Sequence, residues 1–222
     1  MVRKTKEEAL ETRARILETA EHIFSEQGVA HTSLQDIAAA ANVTRGAIYW
    51  HFKNKIDLLD AMLQRVKTPM DEAIRSSSGS STTDPLGQLR QSALQALNLI
   101  HDDASARRVC EILIFKCEYV AETADLQRRH HEDRNTCLEH YEVAFRNAIN
   151  RGQLPANVNP RHAAIGLHAM VYGLLMDWLL APAEFDVREV GGNMVENFIA
   201  GLMNTKPAST ESVIEADGPL HS

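Results

Sequence analysis

The sequence predicts an all-α protein: an N-terminal helix-turn-helix domain of three helices and a larger helical domain beyond it, about nine helices in all. Three observations carry this. Apolar residues recur at three- and four-residue spacing along most of the chain, as in Ile16, Leu17, Ala20, Ile23 and Phe24. Those stripes are bounded by helix start and stop residues: Ser33, Thr44, Asp84-Pro85, Asn159-Pro160 and Asp186 on one side, Gly28 and Gly152 on the other. Between them, two short helical patterns are separated only by Asn42-Val43. The expected division is residues 1–54, residues 55–204 and a disordered tail over 205–222.

Thr5-Lys6-Glu7-Glu8 offers a capping box for the first helix, which Gly28 ends at the C′ position. Ser33 with Asp36 makes a second capping box, so a helix starts at Leu34 with Leu34, Ile37, Ala38 and Ala41 on one face. Its run of four alanines leaves little bulk and lets another helix cross closely. Asn42-Val43 breaks it, and Thr44 caps the next. There Ile48 and Phe52 can face the core while Arg45, Tyr49, Trp50 and His51 project outward. A further helix from about Asn54 to Arg75 joins the two domains, and Ser76 to Thr83 reads as a polar loop.

Asp84 as N-cap and Pro85 at N1 restart helix, with Leu86, Leu89, Ala93, Leu97 and Ile100 as its stripe. Val109 to Val120 is nearly all apolar and suggests a helix buried on most sides. The next is polar at Arg128–Arg134, apolar through Leu138, Tyr141, Phe145, Ala148 and Ile149, and ends near Gly152. Asn159-Pro160 opens another that ends before Pro182, and Asp186 caps the last, with Val190, Met194, Val195, Phe198 and Leu202 on one side. After Asn204 the composition turns polar with two prolines. There is no internal repeat.

At 222 residues the chain can bury one large or two small cores. No apolar run reaches membrane-span length, the start is polar with no signal peptide, and three cysteines without paired spacing point to a reducing compartment. Cytoplasm is the expected location. Net charge is −7, yet residues 1–55 hold eight Lys or Arg against seven acids, leaving −8 for the rest. The acid therefore belongs to the second domain, and local distribution outweighs the global balance.

The outward face of residues 45–51, one arginine and three aromatics, suits DNA. Arg45 in the first turn can pair bidentately with guanine in a major groove, while Tyr49, His51 and Lys55 can donate to phosphates and set register. The free N–H groups of a helix N-terminus add to that attraction. From the residues alone, an amphipathic helical pair with no ligand remains the alternative.

On the helix from Pro160, Gly166, Met170, Gly173 and Asp177 share one side, and His168, Val171, Tyr172 and Leu175 lie on another. Small residues permit a close helix contact; the second face is apolar with two polar tips, as in a ligand pocket wall. Gly191 and Gly192 also permit tight contact. For an isolated monomer both faces read better as ordinary core. Cys110 and Cys117 share a helix face, and Cys137-x-x-His140 has a metal-like spacing, but no paired four-ligand pattern completes a zinc site. His130-His131 reads as a solvated face. Glycine-rich phosphate loops and catalytic signatures do not occur, so no enzyme, cofactor or metal is expected.

Residues 1–55 resemble the DNA-binding domain of the TetR family of bacterial transcriptional regulators. Arg3-Lys4-Thr5-Lys6-Glu7-Glu8, Glu11-Thr12-Arg13 and Val43-Thr44-Arg45-Gly46-Ala47-Ile48-Tyr49-Trp50-His51-Phe52 resemble more narrowly its multidrug-efflux repressors, and Asp84-Pro85-Leu86, Lys116-Cys117-Glu118, Leu154-Pro155-Ala156 and Gly173-Leu174 extend the likeness. The resemblance implies a homodimeric repressor on a palindromic operator of double-stranded DNA, controlling an efflux operon and released by hydrophobic or aromatic small molecules. The DNA-binding set is then Ser33, Thr44, Arg45, Gly46, Tyr49, Trp50, His51 and Lys55. The effector set is Val66, Met70, Leu89, Ala93, Ala96, Cys110, Leu113, Ile114, Cys117, Cys137, Tyr141, His168, Val171, Tyr172, Leu175 and Met176. Cys110, Ile114 and Met176 stand where the resemblance leads one to expect polar residues. The dimer set is Gly166, Met170, Gly173, Asp177, Met194, Val195, Phe198 and Leu202. A redox- or metal-responsive regulator using Cys110, Cys117 and Cys137 is the alternative.

Overall fold

A computed structural model describes residues 6–77, 83–117 and 124–205. Among them run nine α-helices and one π-helical turn. They are α1 (Lys6–Gln27), α2 (Leu34–Ala40), α3 (Arg45–His51), α4 (Lys55–Ser77), α5 (Pro85–Asp102), α6 (Ala104–Glu111), the π-turn (Ile112–Lys116), α7 (Ala124–Asn150), α8 (Pro160–Leu180) and α9 (Val187–Met203). Thr5 of the first capping box, residues 78–82 of the expected loop, residues 118–120 of the apolar segment and the tail beyond Thr205 lie outside the described residues.

The local signals set the helix ends. Ser33 Oγ accepts the Asp36 N–H at 3.2 Å while Asp36 Oδ2 accepts the Ser33 N–H at 2.9 Å, the reciprocal box that starts α2. Asn42 adopts a left-handed φ of +52° and turns the chain toward α3. Thr44 Oγ1 then accepts the Ala47 N–H at 3.1 Å. Gly28, at φ +80°, ends α1 by donating its N–H to the Phe24 carbonyl. Asp84, Asn159 and Asp186 cap α5, α8 and α9.

Two apolar cores follow. The first gathers Ile16, Phe24, Ile37, Ile48, Phe52 and Leu58 from α1–α4, and reaches into Val109 and Ile112 of α6 and the π-turn. The second, including Leu89, Leu97, Phe145, Leu167 and Val187, lies among α5, α7, α8 and α9. Burying each large side chain contributes about 1.5–3 kcal/mol, so these cores outweigh every single polar contact. Gly191 permits α9 to lie close to its neighbours, since a Cβ there would run into Leu97 of α5 and Leu174 of α8.

Three expectations are corrected. Helix α4 continues through Ser77, two residues into the segment read as loop, and carries Pro69 inside it. The segment from Val109 is not one helix buried on most sides: α6 stops at Glu111, the next five residues form the π-turn, and Phe115 is exposed. The Lys116 carbonyl there accepts the Val29 N–H at 3.1 Å, so the chain is drawn toward the α1–α2 turn. Finally, α8 is long and apolar enough to cross a membrane by length and composition. His168 and Asp177 interrupt it, and Leu167, Val171, Leu175 and Trp178 bury one side in the second core.

Polar joints tie the halves together. Glu21 of α1 is buried, and its carboxylate accepts from Arg65 of α4 at 2.9 Å and from the Ser105 hydroxyl of α6 at 2.8 Å. On the other side of α4, Asp60 pairs with Arg129 at 2.7 Å, and Lys67 with Asp133 at 2.5 Å. A buried carboxylate stripped of its donors is costly, whereas an exposed pair such as Arg128–Glu132 adds little. Arg65→Ala is therefore expected to lower unfolding free energy by about 1–3 kcal/mol in denaturant titration. Arg128→Ala should leave the midpoint unchanged.

Candidate DNA-binding and effector sites

Helix α3 has seven residues, and two buried side chains hold it: Ile48 and, at its C-cap, Phe52. Fixing those two presents Arg45, Tyr49 and Trp50 to solvent, with Trp50 72% exposed. The Arg45 guanidinium lies 5.6 Å from the Tyr49 ring centroid, and Trp50 stands edge-on to His51 at 4.5 Å. At Gly46 no side chain obstructs approach, the nearest atom to a hypothetical Cβ being Thr44 Oγ1 at 3.9 Å.

Three of the expected DNA contacts already serve the fold, Thr44 through the α3 cap described above. The Ser33 hydroxyl serves the α2 cap, donating to Asp36 Oδ2 at 2.6 Å, and holds that carboxylate below its ordinary range together with the Ser33 N–H. Lys55, expected as a phosphate donor, extends its ammonium to the Val29 carbonyl at 2.8 Å and so ties the first residue of α4 to the α1–α2 turn. Arg13 of α1, absent from the expected set, lies 5.0 Å over the Phe52 ring at the end of α3. Nothing in helical periodicity marks that contact, which brings α1 against the residue that ends α3.

The sixteen residues of the effector set divide. Leu89, Ala93, Ala96, Tyr141, Val171 and Leu175 are buried in the second core, with Cys137 and Ile114 packed against it. Val66 and Cys117 instead belong to the first core, with Leu113 against it, because α6 and the π-turn dock on α1. Met70 and Cys110 touch both. On α8, His168 stacks on Tyr172 with centroids 6.0 Å apart, and Met176 is half-buried on the same helix. Burial, then nearby Arg134 and His130, push the His168 imidazole down, which favours its neutral form. A cavity of about 480 Å³ opens between Pro69 and Met70 of α4 and Gln95, Asn98, Leu99, Asp102 and Asp103 of α5. It shares only Met70 with the expected set.

Of the dimer set, Gly173 and Asp177 are exposed, and a side chain at Gly173 would meet nothing within 4 Å. Met170, Met194 and Leu202 are half-buried beside them. Gly166 is covered from within the subunit, since a Cβ would come 3.0 Å from the Phe198 ring. Val195 corrects its placement: it is 1% exposed and turned into the subunit's own core, because that face of α9 packs on α5. Exposed Ile165, Leu180 and Met203 were not anticipated and extend the apolar surface of α8 and α9.

A model described as "Bacterial regulatory proteins, tetR family" matches residues 16–62, and one described as "MAATS-type transcriptional repressor, C-terminal region" matches residues 84–204. The chain belongs to the TetR family. It is 44% identical over 187 residues to the HTH-type transcriptional regulator TtgR of Pseudomonas putida, a match covering 84% of this chain and 89% of that one. The crystal structure of NalD, described as the secondary repressor of the MexAB-OprM multidrug efflux pump in Pseudomonas aeruginosa, superposes with a TM-score of 0.80 at 37% identity, covering 90% of this chain and 99% of that one. The SmeT–triclosan complex matches with a TM-score of 0.80 at 31% identity, covering 96% and 100%; SmeT is described as the repressor of the Stenotrophomonas maltophilia multidrug efflux pump SmeDEF.

As a TetR-family member the chain is a transcriptional regulator and not an enzyme. Two of the three cysteines are poorly suited to redox sensing. Burial pushes the Cys110 and Cys137 thiols up to about 12, leaving almost no thiolate at neutral pH. All three are free, and among the described residues no cluster of His, Cys, Asp and Glu could hold a metal. Alkylation by iodoacetamide at pH 7.5 should accordingly be at least about 100-fold slower for Cys110 and Cys137 in the folded protein than in urea. Equal rates would show that these thiols are accessible and ordinary.

Proposed function

We propose that this TetR-family chain is a ligand-responsive repressor that binds a palindromic operator as a homodimer, controls a multidrug efflux operon, and leaves DNA when a hydrophobic or aromatic small molecule binds. The observation that carries this reading is the reach of the similarity. The likeness to TtgR, NalD and SmeT runs through the effector half and is not confined to the helix-turn-helix. In this reading residues 1–54 form the DNA-binding unit, residues 55–204 the effector and dimer unit, and the protein acts in the cytoplasm.

Two copies of α3 related by a two-fold axis require half-sites about 34–36 Å apart. Arg45 reads a guanine; Thr44, Tyr49, Trp50 and His51 fix the helix against phosphates and sugar. The exposed side of α8 and α9 around Gly173 meets its symmetry mate. The effector lies among the buried side chains where α4–α8 converge, held by shape and apolar area. Apolar Cys110, Ile114 and Met176 favour a ligand with few hydrogen-bonding groups at that end.

Coupling runs through α4, which starts beside α3 and passes Val66 and Met70. A ligand that binds better when α4 is tilted swings the two recognition helices out of register with successive grooves. Typical coupling of about 1–3 kcal/mol weakens DNA binding roughly 5–150-fold.

The test uses full-length protein and a labelled duplex of the DNA flanking its own gene, read by fluorescence anisotropy. Triclosan and a panel of hydrophobic antibiotics and dyes should include compounds that weaken binding within that range. Tight operator binding that no compound loosens would overturn the effector reading; no binding to that duplex would overturn control of an operon adjacent to its own gene. Sedimentation should give a dimer at micromolar concentration, and Gly173→Phe should weaken it at least about tenfold, the loss of one well-packed contact. A stable wild-type monomer would contradict the palindromic site.

A further inference from the structure

We propose that the aromatic ring of Tyr49, as distinct from its hydroxyl, is the platform that aims Arg45 at its base pair. This rests on the reading of α3 as the helix that enters the groove. An arginine in the first turn of a short exposed helix has many rotamers and must be confined before its fork can meet a base edge. Its helical neighbours leave one candidate to do so. Thr44 is committed to the cap through the Ala47 N–H, Gly46 has no side chain, and Ile48 is fully buried. The first turn of α3 holds no acid that could pair with it.

Tyr49, four residues on, remains. Side chains of a helix lean toward its N-terminus, so the residue at i+4 projects back over the turn that carries residue i. Here that places the Arg45 guanidinium 5.6 Å from the Tyr49 ring centroid, within range of a cation–π contact. The ring is about half-exposed, 47%, so the pair sits on the outer surface of α3 and not in the core.

The two contacts of the guanidinium use different parts of it. Stacking on an aromatic occupies the flat π face, whereas pairing with guanine O6 and N7 uses the N–H groups along the edge. Tyr49 can therefore order Arg45 without competing for its donors. The Tyr49 hydroxyl, meanwhile, is free to donate to a phosphate, which would fasten the platform to the DNA backbone. The ring then governs discrimination, and the hydroxyl governs affinity alone.

The experiment uses full-length protein, a duplex recovered by the wild type from a randomised pool, and variants of that duplex changed at each base pair of a half-site. Arg45→Ala identifies the base pair it reads, as the position where discrimination collapses. Tyr49→Leu should lose about two- to fivefold of the discrimination at that same position, the worth of an exposed cation–π contact. Tyr49→Phe should keep it in full while binding every duplex more weakly by one common factor. In an Arg45→Ala background Tyr49→Leu should change discrimination no further. Undiminished discrimination in Tyr49→Leu overturns the platform but leaves the reading of α3 standing. Equal loss in Tyr49→Phe assigns the effect to the hydroxyl and also overturns it. If Arg45→Ala changes no position, or the pool yields no enriched duplex, the reading of α3 falls and the platform with it.

Discussion

Helix α3, the proposed recognition helix, is too short to hold itself. Seven residues give fewer than two helical turns with almost no intrinsic stability, so α3 exists only where tertiary contacts put it. Those contacts are Ile48 and Phe52, both sealed in a core shared with α1, α2 and α4. Every outward property of α3, from the direction of Arg45 to the exposure of Trp50, is inherited from that burial. The same core does not end at the DNA-binding bundle. Val109, Ile112 and Cys117 belong to it, so the regulatory half supplies part of what fixes α3 in space.

That shared core gives the proposed regulation a physical route. Glu21 is held by donors from α4 and α6, and Val29 by Lys55 of α4 and the Lys116 carbonyl of the π-turn. The DNA-binding bundle is thus gripped at two points by α6 and the π-turn as well as by α4. Residues of the proposed effector set lie on all three: Val66 and Met70 on α4, Cys110 on α6, Leu113 and Ile114 on the π-turn. The five-residue π-turn departs from the α-helical ladder of α6, a feature that is frequent at functional sites. Ion pairs from Asp60 and Lys67 to α7 brace the far side of α4, so a shift of α4 must be shared with α7.

Much of this is legible in the sequence, for reasons that are local. Capping boxes, Asp-Pro and Asn-Pro starts and left-handed glycines each act within four residues, so Ser33, Thr44, Asp84, Asn159 and Asp186 place their helices correctly. Helical periodicity likewise separates Ile48 and Phe52 from Arg45 and Tyr49. What stays hidden depends on elements distant in sequence. The engagement of Lys55 needs Val29, the Arg13–Phe52 contact joins residues 39 positions apart, and the carboxylate of buried Glu21 is met by Ser105 from 84 residues away. The π-turn reads as continuous helix because its residues are largely apolar, and Val195 reads as surface because a stripe does not say which neighbour covers it.

Regulation of this kind requires that effector and DNA act on the same equilibrium. Reciprocity makes that measurable from the ligand's side: a compound that weakens operator binding by some factor must itself bind more weakly, by the same factor, when operator is present. Calorimetric titration of a releasing compound into the free dimer and into the dimer saturated with operator measures both affinities in one format. A reduction of about 5–150-fold, matching the DNA release factor, is the predicted result. Equal affinities in the two titrations would mean that the pocket and the DNA face are uncoupled, and would contradict the mechanism.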